Sequence, residues 1–286
     1  MKLQINQNEK RFVIVENETI SGVLITIDTT HDLSTVLTAL SLNDISIHST
    51  LDGKKTEAIV PKMSMLELHA LVFANNKPLS LKTFQDSKGF GINNCYQLPF
   101  DFKTPLNLKN GEGLFIESDC KMLSGGTTTA ISIETIPTIG VKVHQPKYEV
   151  LELEATKSVH DIVLDNNVSR VVYMGNGNAG APYDVEEVSI KSDKLNADLT
   201  DSLIYSQLLD TAEPDTDYSG SPIHLVSSNQ VLHDVRLKIK FANAIAGRKL
   251  IIERKITDPK TLTNLMQKNQ EHQQENLQAI KANASK

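Results

Sequence analysis

The chain has 286 residues, 40% of them hydrophobic and 22% charged, so it can fill real cores and is not disordered by composition. Its length fits two domains of ordinary size. The formal net charge is −6 and no long run of Lys or Arg occurs, which argues against a nucleic-acid partner, because neutralising phosphates needs a basic face.

Aromatic residues make up 5% of the chain and Trp is absent, so the cores must be aliphatic. The first ten residues are polar, lack the apolar stretch of a signal peptide, and read as an N-terminal arm (1–10). No run of about 18 apolar residues is present to cross a membrane as a helix. Two cysteines, Cys95 and Cys120, are too few for a disulfide framework, and the expectation is an intracellular product with reduced thiols.

Short β-branched runs follow in order. Phe12–Val15 and Val23–Ile27 come first, and Ile45-Ser46-Ile47 then alternates apolar and polar as a half-buried strand does. Ser64-Met65-Leu66-Glu67 fits a capping box ahead of an apolar stretch ending near Phe73, which predicts a short helix. Strand patterns resume at Leu114–Ile116, Ala130–Ile133, Val150–Leu153, Val171–Tyr173 and Val185–Ile190. Asp201–Leu209 has helical spacing, and Val235–Ile239 and Leu250–Ile252 are again strand-like. Asp258 can cap a last helix with Pro259 at its first position, running from Lys260 towards Lys281. Its apolar stripe (Leu262, Leu265, Met266, Leu277, Ile280) is thin, so it reads as a C-terminal helical arm (257–286).

An internal repeat organises these elements. Leu42–Ser49 resembles Val185–Ser192 at an offset of 185 − 42 = 143 residues, half the chain, with three of eight positions identical. In each half a short helix follows the repeat. Each half then closes on an Ile-rich strand, Ile131-Ser132-Ile133-Glu134 or Leu250-Ile251-Ile252-Glu253. This predicts a duplicated, all-β chain with domains at 11–140 and 147–256 and a boundary between Pro137 and Pro146.

Motifs that could carry chemistry do not hold together. Gly175-Asn176-Gly177-Asn178-Ala179-Gly180 matches the dinucleotide fingerprint, but a strand pattern follows where the pyrophosphate needs a helix N-terminus. The pairs His31-Asp32, His160-Asp161 and His233-Asp234 are dispersed along strand borders, and no two histidines stand in the His-x-His spacing of a cupin metal site. Asp210, Glu213, Asp215 and Asp217 form an acidic loop that fits no complete EF-hand; a structural Ca²⁺ is the one ion it would suit. Cys95 beside Tyr96 reads as a small packing residue before a nucleophile. The expectation is no catalytic, cofactor-binding or metal-binding residue, and no enzyme.

The segments Ile45–Lys54 with the Ser64 helix, Val188–Lys191, Leu203–Leu209 and Val235–Ile239 resemble the double jelly-roll major capsid proteins of tailless icosahedral, membrane-containing bacteriophages. As an order of elements the resemblance spans most of residues 11–256. It implies two jelly-roll sandwiches side by side and a homotrimer of pseudo-sixfold outline. It further implies contacts with neighbouring capsid trimers and with other shell or membrane proteins of a virion, after synthesis in the host cytoplasm. The competing reading is a spike or fibre module that binds carbohydrate or a receptor. Sugar sites stack on exposed aromatics, with which this chain is sparsely supplied.

Overall fold

Strands that bury one face alternate apolar and polar residues, and those that bury both run apolar without a break. Both patterns occur, and they map onto different sheets. The computed structural model describes residues 2–6, 8–29, 42–72, 82–85, 92–108, 110–121, 128–140, 144–175, 185–200 and 223–257.

The first sandwich contains β1 (Lys2–Asn6), β2 (Glu9–Glu16), β3 (Thr19–Thr29), β4 (Asp44–Leu51), β5 (Lys54–Ser64), helix α1 (Met65–Val72), β6 (Lys82–Gln85), β7 (Ile92–Asn107), β8 (Glu112–Cys120) and β9 (Thr128–Pro137). The second contains β10 (His144–Glu152), β11 (Val159–Asp165), β12 (Val168–Met174), β13 (Val185–Lys191), β14 (Asn196–Thr200), β15 (Ile223–Leu232), β16 (Val235–Phe241) and β17 (Lys249–Thr257). All pairings are antiparallel. The sheets run β1-β9-β3-β7-β6 and β2-β8-β4-β5 in the first sandwich, and β10-β17-β12-β15 and β11-β16-β13-β14 in the second.

With β6 set aside as an extra edge strand, the strands of each sandwich take the order 1-8-3-6 in one sheet and 2-7-4-5 in the other. This is the jelly-roll order, twice in one chain. The internal repeat falls on equivalent strands: β4 and β13 are both fourth in their sandwich. Ile45 and Ile47 point inward in one, Val188 and Ile190 in the other, all at most 1% exposed. The two Ile-rich closing segments are likewise equivalent, as β9 and β17, each next to the first and third strands of its own sandwich.

The N-terminal arm expected over residues 1–10 is a correction. Lys2–Asn6 pairs residue for residue with Ala130–Glu134, Ile5 is fully buried, and Glu9 and Lys10 open β2. The polar appearance of the segment arises because β1 lies at a sheet edge and buries only one side. The first helix forms as its capping box predicts. The Ser64 amide donates to Glu67 Oε2 at 2.8 Å, and the Glu67 amide donates to Ser64 Oγ at 3.2 Å. The helices expected at Asp201–Leu209 and in the C-terminal arm lie outside the described residues.

Proline explains why β5 and β7 carry no clear strand pattern in the sequence, and why β10 shows one only at its Val150–Glu152 end. Pro61 and Pro146 sit on the edge strands β5 and β10. Pro99 and Pro105 sit where β7 has β3 on one side and no β6 on the other, because β6 pairs only with Ile92–Cys95. A missing N–H is harmless at an edge.

Gly22 marks a close approach inside β3. A Cβ there would stand 2.1 Å from the Phe100 carbonyl oxygen of β7, at the point where the register shifts between Ile20 and Gly22. Gly22→Ala is therefore expected to lower stability by about 1–3 kcal/mol, as overpacking does. The midpoint shift in urea unfolding measures it, and an unchanged midpoint contradicts the packing argument.

Candidate functional site

The second sandwich has a face that water would not tolerate bare. In β12, Val171, Val172 and Tyr173 are all fully buried, and in β17 Leu250, Ile251 and Ile252 are at most 2% exposed. Val171, Tyr173, Leu250 and Ile252 point into the second core, whereas Val172, Met174, Ile251 and Tyr148 on the opposite side belong to the core of the first sandwich. The β16 strand contrasts: Val235, Leu237, Ile239 and Phe241 are buried while Arg236, Lys238 and Lys240 face solvent.

The first sandwich covers that face with α1 and the flanks of β5 and β7. Helix α1 is apolar nearly all round, with Met65, Leu68, Ala70 and Leu71 at most 2% exposed, because sandwich strands lie on one side and β12 on the other. The Phe100 and Tyr148 rings meet across the joint with centroids 5.2 Å apart.

Charge is also sealed into this joint. Arg170 of β12 pairs with Glu253 of β17 at 2.8 Å, the side chains 13% and 3% exposed. Ser169 Oγ donates to Glu253 Oε1 at 3.1 Å, and Arg170 Nη1 donates to the Leu71 carbonyl at the end of α1. The guanidinium thus serves its own sandwich and satisfies a helix terminus of the other. Lys249 of β17 pairs with the capping-box Glu67 at 2.7 Å, which holds the lysine pKa above its ordinary value chiefly through that hydrogen bond. Lys147 of β10 pairs with Glu57 of β5 at 3.1 Å. Beside the Arg170–Glu253 pair lies a cavity of about 30 Å³ bounded by Phe100, Asp101 and Tyr148, enough for one water. Burial pushes the Tyr148 hydroxyl well above its ordinary pKa, so it stays a neutral donor.

Among the described residues the chemical candidates do not come together. His160 points into the second core, 7% exposed, with its Nε2 3.1 Å from the Lys157 carbonyl. His233 sits in the turn after β15, its amide donating to Asp193 Oδ1, near the far end of β11. Some five strand residues, roughly 17 Å, separate the two positions. His31 and Asp32, the loop 176–180 and the acidic run Asp210–Asp217 lie outside the described residues. Among the described residues the next element after the glycine motif is strand β13. Among the described residues no group of three His, Cys, Asp or Glu could hold a metal. Cys120 is buried, and burial raises its thiol to about 11, far from a nucleophile's range. A cavity of about 300 Å³ opens at the end of the first sandwich between Thr50, Leu51, Leu106 and Gln145. Its titratable groups are Glu57, tied to Lys147, and Glu112. Sequence reasoning missed Arg170, Glu253 and Lys249 because nothing local marks a charged residue whose partner lies on a strand far along the chain.

No family model and no curated protein matches the chain. Solved structures do. The STIV MCP aligns over 91% of this chain and 95% of its own at 8% identity, with a TM-score of 0.55. A chain of the atomic structure of Sulfolobus Turreted Icosahedral Virus aligns over 91% and 89% at 9% identity, with a TM-score of 0.57. The major capsid protein P2 from Bacteriophage PM2 aligns over 90% and 98% at 11% identity, with a TM-score of 0.49. At such identities the likeness to the first two establishes the fold alone, a double jelly roll, in agreement with the strand orders.

Removing Arg170 leaves Glu253 buried and unpaired. Arg170→Ala is expected to cost about 3–5 kcal/mol, whereas Arg170→Met with Glu253→Leu recovers most of it. Equilibrium unfolding of both variants decides, and an equal loss in both contradicts the ion-pair account.

His69 of α1 gives a pH dependence. Burial holds its pKa at about 4, below the ordinary 6.5, so the folded state keeps it neutral. The unfolded chain takes up a proton first as pH falls, so this contribution is whole above pH 6.5 and is lost between 6.5 and 4. About 3 kcal/mol is at stake. His69→Gln should flatten stability over that window, and an undiminished slope counts against it.

Proposed function

We propose that this chain is a structural shell subunit of an icosahedral virus-type particle, not an enzyme, and that it works as a homotrimer of pseudo-sixfold outline. The observation that carries the reading is the repeat of one jelly-roll strand order in a single chain, locked by a buried joint. The likeness of most of the chain to the STIV MCP and to a chain of the Sulfolobus Turreted Icosahedral Virus structure supports it. In this reading the domains run from residue 2 to about 140 and from about 144 to 257, and the remaining C-terminal residues are an arm.

A tile that covers a closed surface needs near-sixfold outlines to pack with six neighbours. Two similar sandwiches per chain supply that outline when three chains join around an axis, because 2 × 3 = 6. Such a ring uses heterologous contacts, one flank of a sandwich against a different flank of the next chain. A rigid joint matters here, since a hinged pair of domains would not hold a fixed angle around the ring. The chain's place would then be the virion shell, with neighbouring trimers and other shell proteins as its partners.

The expected outcome for purified protein is a stable trimer by native mass spectrometry or multi-angle light scattering, and shells under assembly conditions. A chain that stays monomeric at every concentration and joins no particle contradicts the reading and leaves a binding module in front.

A further inference from the structure

The intrachain joint occupies β5, β7 and α1 of the first sandwich and the outer face of β10, β12 and β17 in the second. Two surfaces that lie away from it are of interest. One is the edge at β2 and β8, the opposite margin of its sheet from β5. The other is the outer face of β11 and β16, in the sheet that the joint does not use.

Both surfaces carry exposed large apolar side chains. On β2, Phe12 is 61% exposed and stacks on Phe115 of β8 with ring centroids 4.9 Å apart. On β11, Val159 and Val163 are 42% and 58% exposed, on the same face as Arg236, Lys238 and Lys240 of β16, their register partners or neighbours.

The charges beside them are complementary. Phe12 stands opposite Glu117, next to the exposed Lys10; within the chain Lys10 and Glu117 pair with each other, and Lys55 reaches Glu117 at 3.5 Å. Between Val159 and Val163 stands Asp161, opposite Lys238. Among the described residues Arg236 and Lys238 hold no ion pair, whereas Lys240 holds Glu186 at 2.7 Å. Docked face to face, Phe12 would seat between the two valines, and the Lys10–Glu117 pair would meet Asp161 and Lys238 as a four-charge cluster, Glu117 towards Lys238 and Lys10 towards Asp161.

We infer that these two surfaces bind each other between copies of the chain, the β2/β8 end of one chain against the β11/β16 face of the next. The contact is heterologous, so successive copies join head to tail and close into a ring or continue, as their angle dictates. The inference rests on the shell-subunit reading for closure at three copies. The aromatic and valine core makes the contact, and the two ion pairs set its register.

The test uses the full-length chain and measures self-association by light scattering over a concentration series, with thermal unfolding to confirm that each variant is folded. Phe12→Ser, Val163→Ser and Lys238→Glu should each raise the apparent dissociation constant by about tenfold or more, as losses at the centre of an interface do. Glu117→Lys alone should weaken association too, and Glu117→Lys combined with Lys238→Glu should restore much of it. Wild-type protein that assembles while the folded single variants assemble equally well overturns this surface and leaves the shell reading standing. A combined variant no better than its singles overturns the assigned register. Wild-type protein that never self-associates overturns the shell reading and this contact with it.

Discussion

The second sandwich has a sheet that is apolar on both faces, and the rest of the molecule answers to that. A jelly roll needs each sheet to bury one face against the other. The outward row of Val172, Met174, Ile251 and Tyr148 therefore has to find a partner outside its own sandwich. At about 25 cal/mol per Å² of apolar area, leaving such a row in water would cost several kcal/mol, a large share of a domain's net stability. The first sandwich meets this demand with α1 and the flanks of β5 and β7, so a single core cluster runs from Ile5 to Ile251.

The charged residues at the joint follow from the same constraint. An apolar seam alone fixes closeness but not angle, because aliphatic surfaces can slide. Arg170 donating to Leu71, Lys249 on Glu67 and Lys147 on Glu57 each tie one point of one sandwich to one point of the other. The outer pairs, with Lys249 and Lys147 each about one-third exposed, add little energy. The Arg170–Glu253 pair is different, because separating it would strand a charge in the seam. Direction is what these contacts add: they fix the angle between the two sandwiches.

Duplication without identity completes the picture. The two sandwiches share a strand order, yet equivalent surfaces do different work. The outer face of the β10–β17–β12 sheet is buried in the chain. The third strands of the two sandwiches, β3 and β12, share a place in the topology but not an outward chemistry: Leu24 and Thr26 in one, Val172 and Met174 in the other. The seventh strands differ as well, with Phe115, Glu117 and Asp119 outward on β8 and Arg236, Lys238 and Lys240 outward on β16. One chain thereby presents flanks of distinct chemistry.

Much of this was written in the residues in order. Period-two alternation marked β4 and β16, unbroken apolar runs marked β12 and β17, and Ser64 with Glu67 marked the start of α1, because each signal depends only on neighbours within a few positions. The 143-residue offset between Ile45-Ser46-Ile47 and Val188-Ser189-Ile190 announced the duplication, since equivalent strands need the same inward residues. Only the tertiary structure decided the rest. Alternation tells which side of a strand is buried, but not which strand lies beside it, and β1 finds β9 from the other end of its sandwich. That pairing turned a polar N-terminus into a strand. Edge positions excused the prolines of β5, β7 and β10, and the joint decided that Val172 and Ile251 face another sandwich instead of water. Those outcomes depend on residues a hundred or more positions apart meeting in one place, and no local pattern encodes that meeting.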